Sequence, residues 1–262
     1  MHLQNAHWPE LRDIAGRIFV VPLGSLEQHG SHMPLFTDSL IVTHVAEGLE
    51  KRSSDKIVLL PTQWLGHSPH HRHFGCVSLD LFPYIEMIRG ICASLVNIGA
   101  RKILLLNGHG GNDIPCKAAL RELKSQFEDL PELYIAYAAY WNLAAEEFAA
   151  IRESPLGGIG HACEMETSVL LSKHPDLVLP EKARRGGQVP GFRTVDMFKV
   201  PPFFMINEFD ELSENGVIGM PDFATAEKGE KFLEAAVNGV VRFIDEFATW
   251  KFQKKFTLEG RI

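Results

Sequence analysis

Four short runs of apolar residues, at 17–23, 56–61, 101–106 and 133–140, are rich in Val, Ile, Leu or Tyr, and each ends in Gly, Pro, Trp or polar residues. Continuous apolar runs of this length, bounded by turn residues, predict strands buried on both faces. Between them the period changes. Leu81, Ile85, Ile88, Cys92 and Leu95 recur at spacings of 4, 3, 4 and 3, which places them on one face of an amphipathic helix closed by Gly99. Positions 38–52 and 112–127 read as helices with a less regular apolar stripe. Strands alternating with helices predict an α/β fold with a parallel sheet covered on both faces, because a parallel crossover needs a dozen or more residues.

Beyond Ser154 the pattern shifts. Gly157, Gly158 and Gly160 precede a helical stretch at 162–173, and a Gly/Pro-interrupted segment follows at 184–221. A loop of that length usually serves an active site or a subunit contact. Leu233, Val237, Val240, Val241 and Ile244 then fall at helical spacing within a last helix at 223–247, expected to pack on the sheet. With no internal repeat, low-complexity tract or linker in the sequence, residues 1–262 are expected to form one domain.

Composition narrows the function classes. Hydrophobic residues make up 45% and charged residues 23%, ordinary values for a soluble globular chain. Lys and Arg number 26 against 33 Asp and Glu, a net charge of −7, with no basic run to track a phosphate backbone, so no nucleic-acid partner is expected. No apolar run approaches the ~20 residues that span a bilayer, and positions 1–10 lack a signal-peptide pattern, so the reading is a cytoplasmic protein with no membrane partner. Cys76, Cys92, Cys116 and Cys163 lack C-x-x-C spacing and are expected to be buried thiols. The unusual count is 12 His, several beside Gly and acidic residues.

Those histidines collect at strand ends. Glu27 and His29 follow the first strand, spaced by two so that they can point the same way, and Asp38 comes nine residues after His29 at a helix start. A carboxylate, an imidazole and a second carboxylate suit a divalent ion, although Asp38 could simply cap its helix. The second strand leads into Gly66-His67-Ser68-Pro69-His70-His71-Arg72-His73, with four imidazoles in seven positions. The third ends in Asn107-Gly108-His109-Gly110-Gly111-Asn112, whose glycines do not fit a dinucleotide loop. His161, Glu164 and Glu166 open a later helix, where carboxylates would also complement the helix dipole. Ligands of open α/β sheets bind beyond the carboxyl ends of strands, so the convergence of these clusters there predicts one metal site.

With these residues in this order, the chain resembles the creatininase family of metal-dependent amidohydrolases. The resemblance rests on Gly24-Ser25-x-Glu27-Gln28-His29-Gly30-x-His32-x-Pro34 with Thr37-Asp38, on Asn107-Gly108-His109-Gly110-Gly111-Asn112, and on His161-Ala162-x-Glu164-x-Glu166-Thr167-Ser168. It implies a three-layer α/β/α domain with a mostly parallel central sheet, a homo-oligomer, usually a hexamer, and two divalent ions, zinc first, with manganese or iron as the other candidates. Glu27 and His109 would hold one ion, His29 the other, and Asp38 would bridge them. Two departures stand out. Creatininases proper carry a Glu where this chain has Gly111, and Glu164 is expected to restore that carboxylate as a fifth ligand. They also carry Trp-Asp where this chain has Gly157-Gly158, which disfavours creatinine itself, while Tyr140-Trp141 keeps part of an aromatic wall. His70 stands where the family often has Glu, and the Pro usual before Gly75 is absent.

The expected reaction is hydrolysis of a non-peptide C–N amide bond, in a creatinine-like cyclic amide or a formamide, by a metal-bridged water. His161 would shuttle a proton to the leaving nitrogen, and Glu166 would hold its ring or bind metal through water. The N–H groups of Gly110 and Gly111 would steady the oxyanion, and Ser68, His71 and Trp141 would contact substrate. The alternatives are a peptidase of the same family, a two-metal phosphoesterase, and a non-catalytic metal-stabilised assembly module. The phosphoesterase is weakened because Arg72 is the only basic side chain other than His within the motifs.

Overall fold

The computed structural model describes residues 1–251 apart from Ala15, Val200 and Pro201. The four apolar runs form β1 (Ile18–Leu23), β2 (Ile57–Leu59), β3 (Lys102–Asn107) and β4 (Tyr134–Ala139), all paired in parallel in the order β2-β1-β3-β4. The helices are α1 (Thr37–Ser53), α2 (Leu81–Asn97), α3 (Asp113–Gln126), α4 (Ala145–Ile151), α5 (Glu164–Lys173), α6 (Phe209–Leu212) and α7 (Ala226–Thr249). Successive side chains of a strand point to opposite faces, and the core divides accordingly. Ile18, Val20, Leu104 and Leu106 pack with residues of α1, α5 and α7, whereas Phe19, Val21, Leu23, Ile103 and Leu105 pack with α2 and α3. This is the three-layer α/β/α arrangement, and it explains why the strands read as unbroken apolar runs.

The connections make β1 and β3 the pair where the chain changes direction across the sheet. From β1 it passes through α1 on one face to β2 at one edge; from β3 it passes through α3 on the other face to β4 at the opposite edge. The loops leaving the carboxyl ends of these two neighbours therefore part and leave a crevice between them, the usual ligand position in open α/β sheets.

The helix read at 112–127 begins at Asp113, after a single 3-10 turn at Gly110–Asn112, so the two glycines stay outside the regular helix. Within 184–221, positions 200 and 201 lie outside the described residues. The remainder is tied down by paired backbone bonds between His161 and Ile218 (2.7 and 2.9 Å) and between Gly186 and Gly219 (3.2 and 3.0 Å). This long loop thus runs over the crevice. Cys76, Cys92, Cys116 and Cys163 are free thiols, and no helix among the described residues is long and apolar enough to cross a membrane.

Candidate metal centre

Glu27 and His29 leave β1, Asp38 lies in the first turn of α1, His109 follows β3, and Glu166 lies in the first turn of α5; all five are buried. Asp38 sits between two imidazoles, with Oδ1 3.0 Å from His29 Nε2 and Oδ2 2.9 Å from His109 Nδ1. Ser25 Oγ donates to Oδ2 at 2.8 Å. Glu27 Oε1 lies 3.2 Å from His109 Nδ1, 3.1 Å from His71 Nε2 and 3.8 Å from His161 Nδ1. Neither oxygen of Glu27 receives a well-directed hydrogen bond. A buried carboxylate left in that state is costly unless a cation stands against it.

The outer hydrogen bonds decide which ring nitrogens face inward. His29 Nδ1 lies 3.1 Å from the Glu27 carbonyl, so that nitrogen carries a proton and Nε2 is the inward atom. His109 Nε2 lies 3.1 Å from the His67 carbonyl, which leaves Nδ1 as the inward atom. His161 Nε2 donates to the Gln28 carbonyl at 2.8 Å, and its Nδ1 faces the site. Gln28 Oε1 accepts from Gly30 N at 2.8 Å and its Nε2 donates to Gly216 O at 2.9 Å, which orients the amide. The same Nε2, 2.9 Å from His71 Nδ1, donates there too, so His71 carries its proton on Nε2.

Among the described residues, four overlapping sets have ligand atoms within 4.8 Å of one another: Glu27 with His29 and Asp38, Glu27 with His70 and His109, Glu27 with His71 and His161, and His29 with His161 and Glu166. Carboxylate oxygens mixed with imidazole nitrogens fit Zn, Mn or Fe. The residues present therefore fit a divalent ion.

Burial alone would lower the His29 pKa, but Asp38 and Glu166 outweigh it and raise the value to about 9. Burial opposes charge on Asp38 and Glu27 as well, yet their imidazole neighbours hold both below the usual carboxylate range. A pH dependence follows for the metal-free chain. The raised His29 contributes stability that is complete below about pH 6.5, its ordinary value, and is lost as pH rises through about 9. Cation capture must displace that proton, so affinity is expected to increase over the same window. Melting of chelator-treated protein between pH 6.5 and 9, with proton release followed by calorimetry, checks both; flat responses would contradict them.

The structure corrects two assignments made from the sequence. Glu164 does not join the centre. Its oxygens accept from Glu153 N and Ser154 N, both at 3.0 Å, and from Lys228 Nζ at 2.8 Å. Two residues apart on a helix lie about 200° apart around its axis, so Glu164 and Glu166 cannot face the same way, and Glu166 is the one turned inward, its Oε1 4.0 Å from His29 Nε2. Ser68 does not reach the cavity; it is buried behind His109, with Oγ 3.2 Å from Nε2, where it supports the ring.

Beside the centre lies a cavity of about 250 Å³ lined by Glu27, Asp38, His70, His71, Gly110, Gly111, Trp141, His161 and Glu166, with Val195, Met197, Phe209 and Ile218 from the long loop. Phe209 stacks on His71 (centroids 3.9 Å) and packs edge-on against His161 (4.7 Å). Sequence reasoning assigned no role to Phe209, and nothing in its local pattern marks it. It also assigned none to Gln28, whose place inside the Glu-Gln-His motif was the available signal. Ala162, beside His161, is a buried non-glycine residue at φ 51°, a strained conformation of the kind that clusters at functional sites.

Residues 4–244 match the family model described as creatinine amidohydrolase. The chain belongs to the creatininase family. It is 30% identical over 255 residues to a creatinine amidohydrolase of Pseudomonas putida, covering 90% of this chain and 92% of that one. It is 32% identical over 238 residues to a mycofactocin precursor peptide peptidase of Mycobacterium tuberculosis, covering 85% and 82%. A crystal structure of creatinine amidohydrolase superposes with a TM-score of 0.79 at 24% identity, covering 95% of this chain and 98% of that chain, which shows the shared fold. This creatininase-family amidohydrolase thus carries the family fold, with His70 and Gly111 in the loops beside its centre.

Proposed function

We propose that this chain hydrolyses a C–N amide bond in a small uncharged molecule, a cyclic amide or a formamide, using two divalent ions held by Glu27, His29, Asp38, His109 and Glu166. The observation that carries the reading is the buried, unsatisfied Glu27 carboxylate facing inward-pointing imidazoles. Zinc is the first candidate, and solved creatininases described as a Zn–Zn type and a Mn form support zinc or manganese. The ions would supply a water whose pKa falls from about 15.7 toward 7 and would polarise the amide carbonyl.

The chain's own groups do the rest. His161, with Nε2 anchored on the Gln28 carbonyl, turns its Nδ1 lone pair to the cavity. Burial, then His29 and His71, hold its pKa well below the ordinary value, so it is neutral and able to accept a proton that it returns to the leaving nitrogen. His71, Gly110 and Gly111 line the same wall, and the glycine N–H groups would steady the oxyanion. Trp141, Met197, Phe209 and Ile218 exclude water. Asp196 lines the cavity too, but its carboxylate is taken by Arg152 at 3.0 and 2.9 Å and by Gly157 N at 2.7 Å, which leaves no free acid for a guanidinium-like ring. Asp196 is thus not the acidic anchor that a creatinine-like ring would use.

A second reading, a peptidase, is favoured by one feature. The cavity shares Val195 and Asp196 with a neighbouring space of about 280 Å³, and His70, Gly110 and Gly111 with another of about 410 Å³, room for a longer substrate. A phosphoesterase lacks support, since no Lys or Arg among the described residues lines the central cavity. Exposed Phe203, Phe204, Met205 and Ile206 beside these spaces support the expected homo-oligomer, which sedimentation would measure.

Metal analysis followed by a panel of cyclic amides, formamides, short peptides and phosphate esters, with and without chelator, tests the proposal. Turnover of small amides that chelation abolishes is the expected result; full activity without metal would overturn it. His161→Gln should lower kcat by about 10²–10⁴ with metal content unchanged, as loss of a positioned proton shuttle does. A kcat within a few-fold of the parent chain would remove that role.

A further inference from the structure

His70 is the one imidazole of the centre that the proposed ligand set and proton path leave unused. A ring nitrogen of His70 lies within 4.8 Å of ligand atoms of both Glu27 and His109. Its ring is nearly parallel to that of His109, at an interplanar angle of 7° and a centroid separation of 5.8 Å, with Phe209 at 5.8 Å. The second histidine of this loop that lines the cavity, His71, is excluded as a ligand by its hydrogen bonds. Its Nδ1 accepts from Gln28, so the nitrogen aimed at Glu27 bears a proton.

The space that His70 occupies exists because residue 111 has no side chain. A Cβ there would lie 2.2 Å from the His67 carbonyl oxygen, 2.4 Å from His109 Nε2 and 2.7 Å from His70 Cε1. The two loops can bring both rings to Glu27 only with glycine at this position.

We propose that His70 is a ligand of the ion held by Glu27 and His109, and that Gly111 is the residue that admits it. The inference rests on the two-ion reading above. Its chemical consequence is selectivity. One carboxylate with two imidazoles, beside the shared Asp38, is a nitrogen-rich set, and imidazole suits Zn whereas oxygen donors suit Mn. His70 therefore biases this position toward zinc over manganese.

The test compares the full-length chain with His70→Ala and His70→Glu by equilibrium dialysis against buffered Zn²⁺ or Mn²⁺, and by the visible spectrum of the Co²⁺-loaded proteins. The parent chain should bind two ions. His70→Ala should retain one and bind the second at least tenfold more weakly, with a changed Co²⁺ spectrum. His70→Glu should retain two while losing at least tenfold of the zinc-over-manganese preference. Two ions bound by His70→Ala with parental affinity and spectrum would overturn the assignment. Should that variant fail to fold, unchanged metal preference in His70→Glu would overturn it equally. Failure of the two-ion reading is separately visible, as fewer than two ions in the parent chain.

Discussion

Glu27→Gln is expected to remove bound metal and to lower kcat/KM by about a thousandfold or more. The exchange preserves shape but removes the charge and places an amide among imidazoles that point at Glu27 from 3.1, 3.2 and 3.8 Å. Metal sites contribute several kcal/mol of transition-state stabilisation, and each 1.36 kcal/mol is tenfold in rate, which sets the size of the loss. Asp38→Asn and His109→Ala should behave alike, since Asp38 gives one oxygen to each side of the centre and His109 contacts both acids. Metal content and steady-state rates on the best amide of the panel decide the matter. A Glu27→Gln protein with full metal and parental rates would sink the centre as drawn.

Lys228→Met should destabilise the fold by about 3–5 kcal/mol while leaving the metal set in place, because breaking a buried ion pair strands its partner. Lys228 Nζ bonds Glu164 at 2.8 Å and Glu153 at 3.0 Å, and the Glu164 side chain is wholly enclosed. At roughly 2–4 °C per kcal/mol for a chain of this size, the melting temperature should fall by about 10 °C. Burial disfavours charge on Glu164, but Lys228 and the Glu153 and Ser154 amides reverse the balance and depress its pKa. Its contribution is therefore present above the ordinary carboxylate value of about 4.3 and is lost as pH falls through the lower folded value. Melting temperature with metal stoichiometry checks this. A fall in metal binding without loss of stability would return Glu164 to the centre.

The strands were legible because both sheet faces are covered, so β1 and the middle of β3, Ile103 to Leu106, needed consecutive apolar residues and left an unbroken signal. The helix α2 was legible because one stripe packs and the other is wet. The clustering of His and acid at strand ends was likewise visible in the chain, as was the kinship carried by the Glu-Gln-His and Asn-Gly-His motifs. What spacing could not decide was which acid of Glu164-Met165-Glu166 turns inward. Helical geometry says only that one of the two does, and the choice was made by Lys228, a residue from α7 that reaches Glu164.

The same division holds across the molecule. Local sequence determined the elements, the parallel sheet and the donor-rich loops, since those follow from nearest-neighbour periodicity and turn chemistry. Tertiary structure alone decided that Ser68 stands behind His109, that Phe209 packs on His71 and His161, and that Gln28 turns the proton of His71 toward Glu27. Each of these depends on the direction of a side chain set by a partner remote in sequence, and such a contact leaves no period for a reader of the chain to find.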